Sequence, residues 1–320
     1  MKNNALAAIR SGAIAVMAMA WTACASAETI DVSGVYASRA DLPGNVERIV
    51  TEPFGGDAGP DALIAITDRL GSAIVEGQPW FRFTSSSFGS NAGEVPDAAL
   101  RGSVRTEVTE RRVQPRIVKE CVERDDNKKC VRREEVRIAC WQLDTLLIPR
   151  ISLVDADGRR LYSRQQSQSK SVRYCRDDDT IPSAISQIDA LIDDLAFEVR
   201  RDLVPDERTV AVRVMESRKD LAKSDRNAFR AAVKLTDNDA FGACLSFREM
   251  EPRNPRQVSL LYNIGLCEEA EGKLELSAQY YERALDQSPG RDYPTRGLIR
   301  LREHERGLIQ IEARNGVSEP

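Results

Sequence analysis

Apolar positions recur every three or four residues in two long stretches and alternate with polar ones in several shorter stretches. Leu63, Ile66, Leu70 and Ile74 form the stripe of an amphipathic helix with one face turned to a core. Pro60 suits its first turn, where a missing N–H costs nothing, and Gly77 suits its end, so a helix is expected over about 60–76. A second helix is expected over about 182–203. Ile185, Ile188, Leu191, Ile192, Leu195, Phe197 and Val199 give it a broad apolar face, and Pro205 stops it. Strand patterns cover 46–54, a segment from Trp80, 99–118, 143–155 and 161–172, the last two joined by the turn Asp155-Ala156-Asp157-Gly158. Residues 28–45, with Gly34, Pro43 and Gly44, lack clear periodicity and read as a flexible leader.

From Arg101 to Arg137 the pattern changes. This stretch holds twelve Lys/Arg and eight Asp/Glu. Cys121 and Cys130 bracket Asp125-Asp126-Asn127, a turn signal. A long β-hairpin over about 105–140, pinned by a disulfide near its tip, is expected. Its mixed charges fit either a simply hydrated surface or a grip for an anionic partner or a partner protein.

At 320 residues, 42% hydrophobic and 30% charged, the chain has the composition of a soluble globular protein of about two domains. That excludes a disordered or collagen-like chain and a polytopic membrane protein. A net charge of −4 argues against a nucleic-acid partner. There is one histidine, His304, in the charged run Leu301 to Arg306, where a surface position is expected. The Gly55–Pro60 cluster lacks the spacing and lysine of a phosphate loop. Asp177-Asp178-Asp179 lacks the Gly and Glu of a calcium loop and reads as a surface turn before the second helix. No catalytic residue, cofactor or metal is expected, and the chain is not expected to be an enzyme.

The N-terminus carries an export pattern: Lys2 and Arg10, a short apolar run Ala13–Trp21, then Ala25-Ser26-Ala27. Cleavage after Ala27 is the first choice for a signal peptide over 1–27. Thr22-Ala23-Cys24 resembles the end of a lipobox, with Trp21 where Leu is usual, so lipidation of Cys24 is the alternative and would supply the only membrane contact. The mature chain would keep six cysteines, Cys121, Cys130, Cys140, Cys175, Cys244 and Cys267. An even number in an exported protein favours disulfides, and proximity ranks 121–130, 140–175 and 244–267 first among the possible connectivities. Zinc is disfavoured, because no Cys-x-x-Cys spacing is present.

Two resemblances extend this reading. Ala99-Leu100-Arg101-Gly102-Ser103-Val104, the hairpin Ile151–Gly158 with Leu161-Tyr162-Ser163, and the helix Ala184–Leu203 are similar to segments of the curli-secretion-channel (CsgG-like) family over about 46–204. That resemblance implies an α+β domain over 46–205, antiparallel-rich, with helices packed on the sheet. Channel members insert two amphipathic hairpins into the membrane. Here the first place holds the charged 105–140 segment and the second, 170–182, is too short, so a pore is not expected.

Leu261, Ile264, Gly265, Ser277, Tyr281, Ala284 and Pro289 resemble a tetratricopeptide repeat, with Glu268 departing where an aromatic is usual. The resemblance implies a connector over 206–223 and an all-α repeat domain over 224–316, with a degenerate first repeat and a capping helix. Asn227, Asn263 and Leu266 would then face a peptide-binding groove. The expected function is a non-enzymatic envelope scaffold or adaptor in the periplasm, or at the outer membrane if anchored, with envelope proteins as partners. The alternative is a self-associating component of an outer-membrane secretion or assembly complex.

Overall fold

Among the described residues, the first strand pairs with the last. In the computed structural model, which describes residues 28–85 and 95–316, β1 (Thr29–Tyr36) lies antiparallel to β10 (Asp206–Arg213). The segment expected to be a flexible leader, 28–45, therefore contains an eight-residue strand. Ile30, Val32 and Tyr36 are buried on one side of it, and Thr29, Asp31 and Ser33 alternate with them. The export pattern, Cys24 included, lies outside the described residues.

The main sheet lies between these two strands in sequence. It contains β2 (Arg48–Thr51), β5 (Arg82–Ser85), β6 (Ala98–Arg124), β7 (Cys130–Asp155), β8 (Arg160–Arg164) and β9 (Gln168–Cys175). The order is β5-β2-β6-β7-β8, with β9 also paired to β7. β2 runs parallel to both neighbours, and the other pairs are antiparallel. Helices α1 (Gly59–Gly71) and α2 (Ala184–Leu203) lie side by side on one face. Ala62, Ile66 and Leu70 of α1 and Leu191, Leu195 and Val199 of α2 pack in one core with Leu100, Val104, Leu147 and Ile151 of the sheet.

Helix α1 stops at Gly71, short of the expected end. Ile74 falls instead in a small hairpin of β3 (Ile74–Val75) and β4 (Gln78–Pro79). Glu76 and Gly77 form its turn, at φ 49° and 77°. Two successive left-handed residues are what a tight hairpin of this hand requires, so the glycine marks a turn rather than a helix end.

Five more helices follow: α3 (Arg226–Leu235), α4 (Ala240–Met250), α5 (Val258–Ala270), α6 (Leu274–Gln287) and α7 (Asp292–Asn315). The expectation of an antiparallel-rich α+β domain followed by a separate all-α tetratricopeptide-like domain is overturned. The chain is mixed α/β, with a six-stranded mixed sheet and seven helices among the described residues. Phe229, Phe247, Ile264 and Leu301 share their core with Ile30 and Val32 of β1, so the C-terminal helices do not close on themselves.

The residues read as a repeat signature do pack together locally. Ser277 Oγ donates to the Gly265 carbonyl at 2.7 Å. A Cβ on Gly265 would meet the Tyr281 ring at 2.8 Å. Leu261, Ile264, Tyr281 and Ala284 are fully buried, and Pro289 is exposed just beyond α6. That signature describes how two helices approach. It does not determine what covers their other faces.

Helix α7 joins the two cores. Leu301 sits in the helical core and Ile311 in the core of the sheet. Near its end Arg314 donates to the carbonyls of Val46, at 3.0 Å, and Trp80, and its guanidinium lies 4.4 Å from the Trp80 ring centroid. Burial holds the Arg314 pKa below the usual arginine range.

Candidate functional site

The most extended feature is the ribbon of β6 and β7. Strand β9 supports β7 only as far as the pair Cys140–Cys175. Beyond the register shift after Val113, two strands continue alone from Arg116 opposite Ile138 to Arg124 opposite Cys130. Nine residues at about 3.3 Å each make an arm on the order of 30 Å long. An isolated two-stranded ribbon has no core to stabilise it.

Side chains on the arm are mostly in water. Ile117, Val122 and Val131 are 56%, 44% and 57% exposed. Val118 and Val136 face each other, half-buried. Glu120 stands directly opposite Glu134, a like-charge pair unfavourable for the ribbon itself.

Disulfides secure both ends of this arm. Cys121 is joined to Cys130 at the tip and Cys140 to Cys175 at the root. Arg116 binds Asp177 and Asp178 at the root, the latter at 2.9 Å. The carboxylate of Asp178 also accepts from the Cys175 N–H at 2.6 Å. This bond and the bonds from Arg116 hold the Asp178 carboxyl below the usual range, despite some opposing desolvation. The aspartate run is thus tied into the arm's base, and no metal-binding cluster occurs among the described residues.

The Cys121→Ser variant is expected to leave the melting of the body unchanged but open the tip, because this disulfide closes only a short loop. Limited trypsin digestion, followed by mass mapping of cuts at Arg124, Lys128 and Lys129, checks this.

The third disulfide, Cys244–Cys267, joins α4 to α5. Of the three residues proposed to face a peptide groove, only Asn227 is exposed. Leu266 is fully buried, and Asn263 is spent on the backbone of Met215, accepting from its N–H at 2.8 Å and donating to its carbonyl at 2.9 Å. Neither Leu266 nor Asn263 can meet a ligand. Glu268, also buried, is paired with Arg248 at 2.7 Å.

A polar cluster lies where α5, α6 and α7 meet. Arg300 grips Glu269 through two bonds of 2.5 Å, and the Tyr281 hydroxyl donates to Glu269 at 2.6 Å. Burial and the neighbouring carboxylate push the Tyr281 hydroxyl far up. Burial alone would lower Arg300, but the bonds and charge of Glu269 outweigh it and hold the guanidinium above its ordinary value. Glu269 is 1% exposed, so the cluster is closed to substrate and serves the fold.

His304 is beside it, 8% exposed rather than on the surface, because Gly34 leaves room for the ring. A Cβ on Gly34 would lie 2.7 Å from it. Burial, opposed by Glu269 and Glu305, lowers the His304 pKa below 6.5. The folded state then holds neutral imidazole while the unfolded chain takes up a proton. Stability is full above about pH 6.5 and falls as pH drops below it. Tyr36, Glu207, Arg208, Glu269, Arg300 and Glu305 are the other titratable groups around the ring. Thermal melts between pH 7.5 and 5.5 should show a drop that His304→Gln reduces.

Comparison with known proteins gives partial structural likeness only. No family model and no curated protein matches the chain. Among solved structures, a neuraminyllactose-binding hemagglutinin homolog from Helicobacter pylori aligns at 11% identity over 50% of this chain and 82% of its own, with a TM-score of 0.25. A PelC dodecamer from Paraburkholderia phytofirmans aligns at 12% identity over 55% and 98%, with a TM-score of 0.22. A minor lipoprotein from Acinetobacter baumannii aligns at 14% identity over 49% and 91%, with a TM-score of 0.21.

Proposed function

We propose that this chain is an exported, non-enzymatic protein of the bacterial cell envelope that holds other envelope proteins through the β6–β7 arm. The observation that carries this reading is the arm itself. It is a ribbon on the order of 30 Å long, fixed by a disulfide at each end, with exposed aliphatic and basic side chains and no core of its own. Such a surface is stabilised when a partner covers it. Three disulfides fit an oxidising compartment, in keeping with the export pattern. The resemblance of 46–204 to the soluble part of the curli-channel family supports the same setting, and lipidation of Cys24 would anchor the protein at the outer membrane.

The test is an arm-shortened chain, with Gln114 joined to Ala139 through Asn-Gly, purified from envelopes beside the full chain. Stoichiometric co-purifying protein present with the full chain and lost with the short one is the expected result. Retention of that protein by the shortened chain would end this reading.

A second reading has its own observation. The outer faces of α1 and α2 present Asp61, Asp68, Asp189 and Asp193 around exposed Ile64, Ile185 and Phe197. The arm carries both signs, eight Lys/Arg and six Asp/Glu from Arg116 to Ile138, and its basic and aliphatic side chains could meet these aspartates and apolar groups. An arm laid on the helices of a second copy would make a head-to-tail contact that closes into a ring or continues as a filament. Light scattering of the mature chain should then show oligomers that dissociate as salt is raised. A monomer at low salt would exclude self-association.

A further inference from the structure

Strand β1 is paired on one side only. The Val214 N–H donates to the Glu28 carbonyl at 3.0 Å, which makes residues 28 and 214 a hydrogen-bonded pair of the ladder. Antiparallel pairs alternate, so Ile30, Val32, Gly34 and Tyr36 bond to β10, and the N–H and C=O groups of Thr29, Asp31, Ser33 and Val35 point to the other edge. At the far end α7 closes this edge. The Ala37 N–H donates to the Glu303 carbonyl at 2.9 Å, and Gly307 packs on the Val35 carbonyl. From Thr29 to Ser33 no other backbone of the described residues pairs with it.

A groove of about 610 Å³ runs along the open part. Thr29 and Asp31 form one wall, and Phe241, 67% exposed, stands in another beside the Cys244–Cys267 disulfide. Three carboxylates line it, Asp31, Asp237 and Glu271, and no cation does. Glu271 is already held by Arg248, at 2.7 Å, and Lys273, at 2.6 Å, which leaves Asp31 and Asp237 as the unbalanced charge.

We infer that the Thr29–Ser33 edge and its groove bind an extended polypeptide segment of another protein, in which apolar residues alternate with Lys or Arg. The segment adds as a third strand to β1, taking its hydrogen bonds from the outward backbone groups of Asp31 and Ser33. Its apolar side chains rest on Phe241, and its cations meet Asp31 and Asp237. Strand addition of this kind draws affinity from main-chain bonds and selectivity from the flanking pockets. This site is separate from the arm and does not depend on it.

The test uses the full mature chain and fluorescent peptides of about eight residues, one alternating Val with Lys and one alternating Val with Glu. The expected result is saturable binding of the lysine peptide with slowed amide exchange at Asp31 and Ser33, and binding of the glutamate peptide at least about tenfold weaker. The Asp31→Pro variant removes an N–H that β10 does not use, so the fold tolerates it, and binding should fall by about tenfold or more. Phe241→Glu, at an exposed position, should weaken binding without touching the strand. The arm-shortened chain should bind as the full chain does, which separates this site from the function proposed above. Equal binding of both peptides, no saturable binding, or full affinity in Asp31→Pro would overturn the inference.

Discussion

Replacing Glu269 by Gln is expected to cost the fold about 3–5 kcal/mol, the usual penalty for removing one partner of a buried ion pair. The carboxylate is 1% exposed, and Arg300 and the Tyr281 hydroxyl both point at it. The amide keeps a hydrogen-bond acceptor but leaves the Arg300 charge without its counterion. The double variant Glu269→Leu with Arg300→Met should recover most of that loss, because a well-packed apolar pair avoids the desolvation cost of both charges. Urea unfolding of the three chains checks this. A single variant as stable as the parent would mean that the charges are solvated and contribute little.

Gly307→Val is expected to destabilise by about 3 kcal/mol through overpacking against backbone. A Cβ there would lie 2.5 Å from the Val35 carbonyl oxygen and 3.0 Å from the Ala37 nitrogen, and neither can rotate away as a side chain would. The effect has a particular form. β1 and α7 connect the two cores, with Val35 and Ile311 in one and Ile30 and Leu301 in the other. Loosening that seam should turn a single cooperative calorimetric transition into two. One shifted but undivided transition would show that the cores remain coupled through other contacts.

Elements defined by local pattern were legible in the sequence. The apolar stripe from Ile188 to Val199 marks α2, and the charged hairpin with cysteines around an aspartate turn marks the arm. What could not be read locally was long-range pairing. β1 finds its partner at the other end of the sheet domain, and nothing near Thr29–Tyr36 signals that. The same contact explains why the repeat-like residues misled. Gly265, Ser277 and Tyr281 report one close helix pair, and Ile30 and Val32 of β1 enter the core that this pair shares with α3 and α4, which no local pattern announces. His304 looked exposed among Arg302, Glu303 and Glu305, since the vacancy that accepts it is made by a glycine far away in sequence. Asn263 looked like a ligand contact because polar residues on repeat helices often face a groove, whereas here it fastens the chain after β10.

In the proposed function the arm is the surface on which another protein rests. The most direct measurement places a photo-crosslinking side chain at Ile117, exposed on the arm, in the full exported chain in intact cells, with Glu275 on α6 as the comparison position. The expected result is a discrete adduct at Ile117, either with a second protein or with a second copy of this chain, and none at Glu275. The absence of any intermolecular adduct at Ile117, with the chain folded and exported, would contradict it.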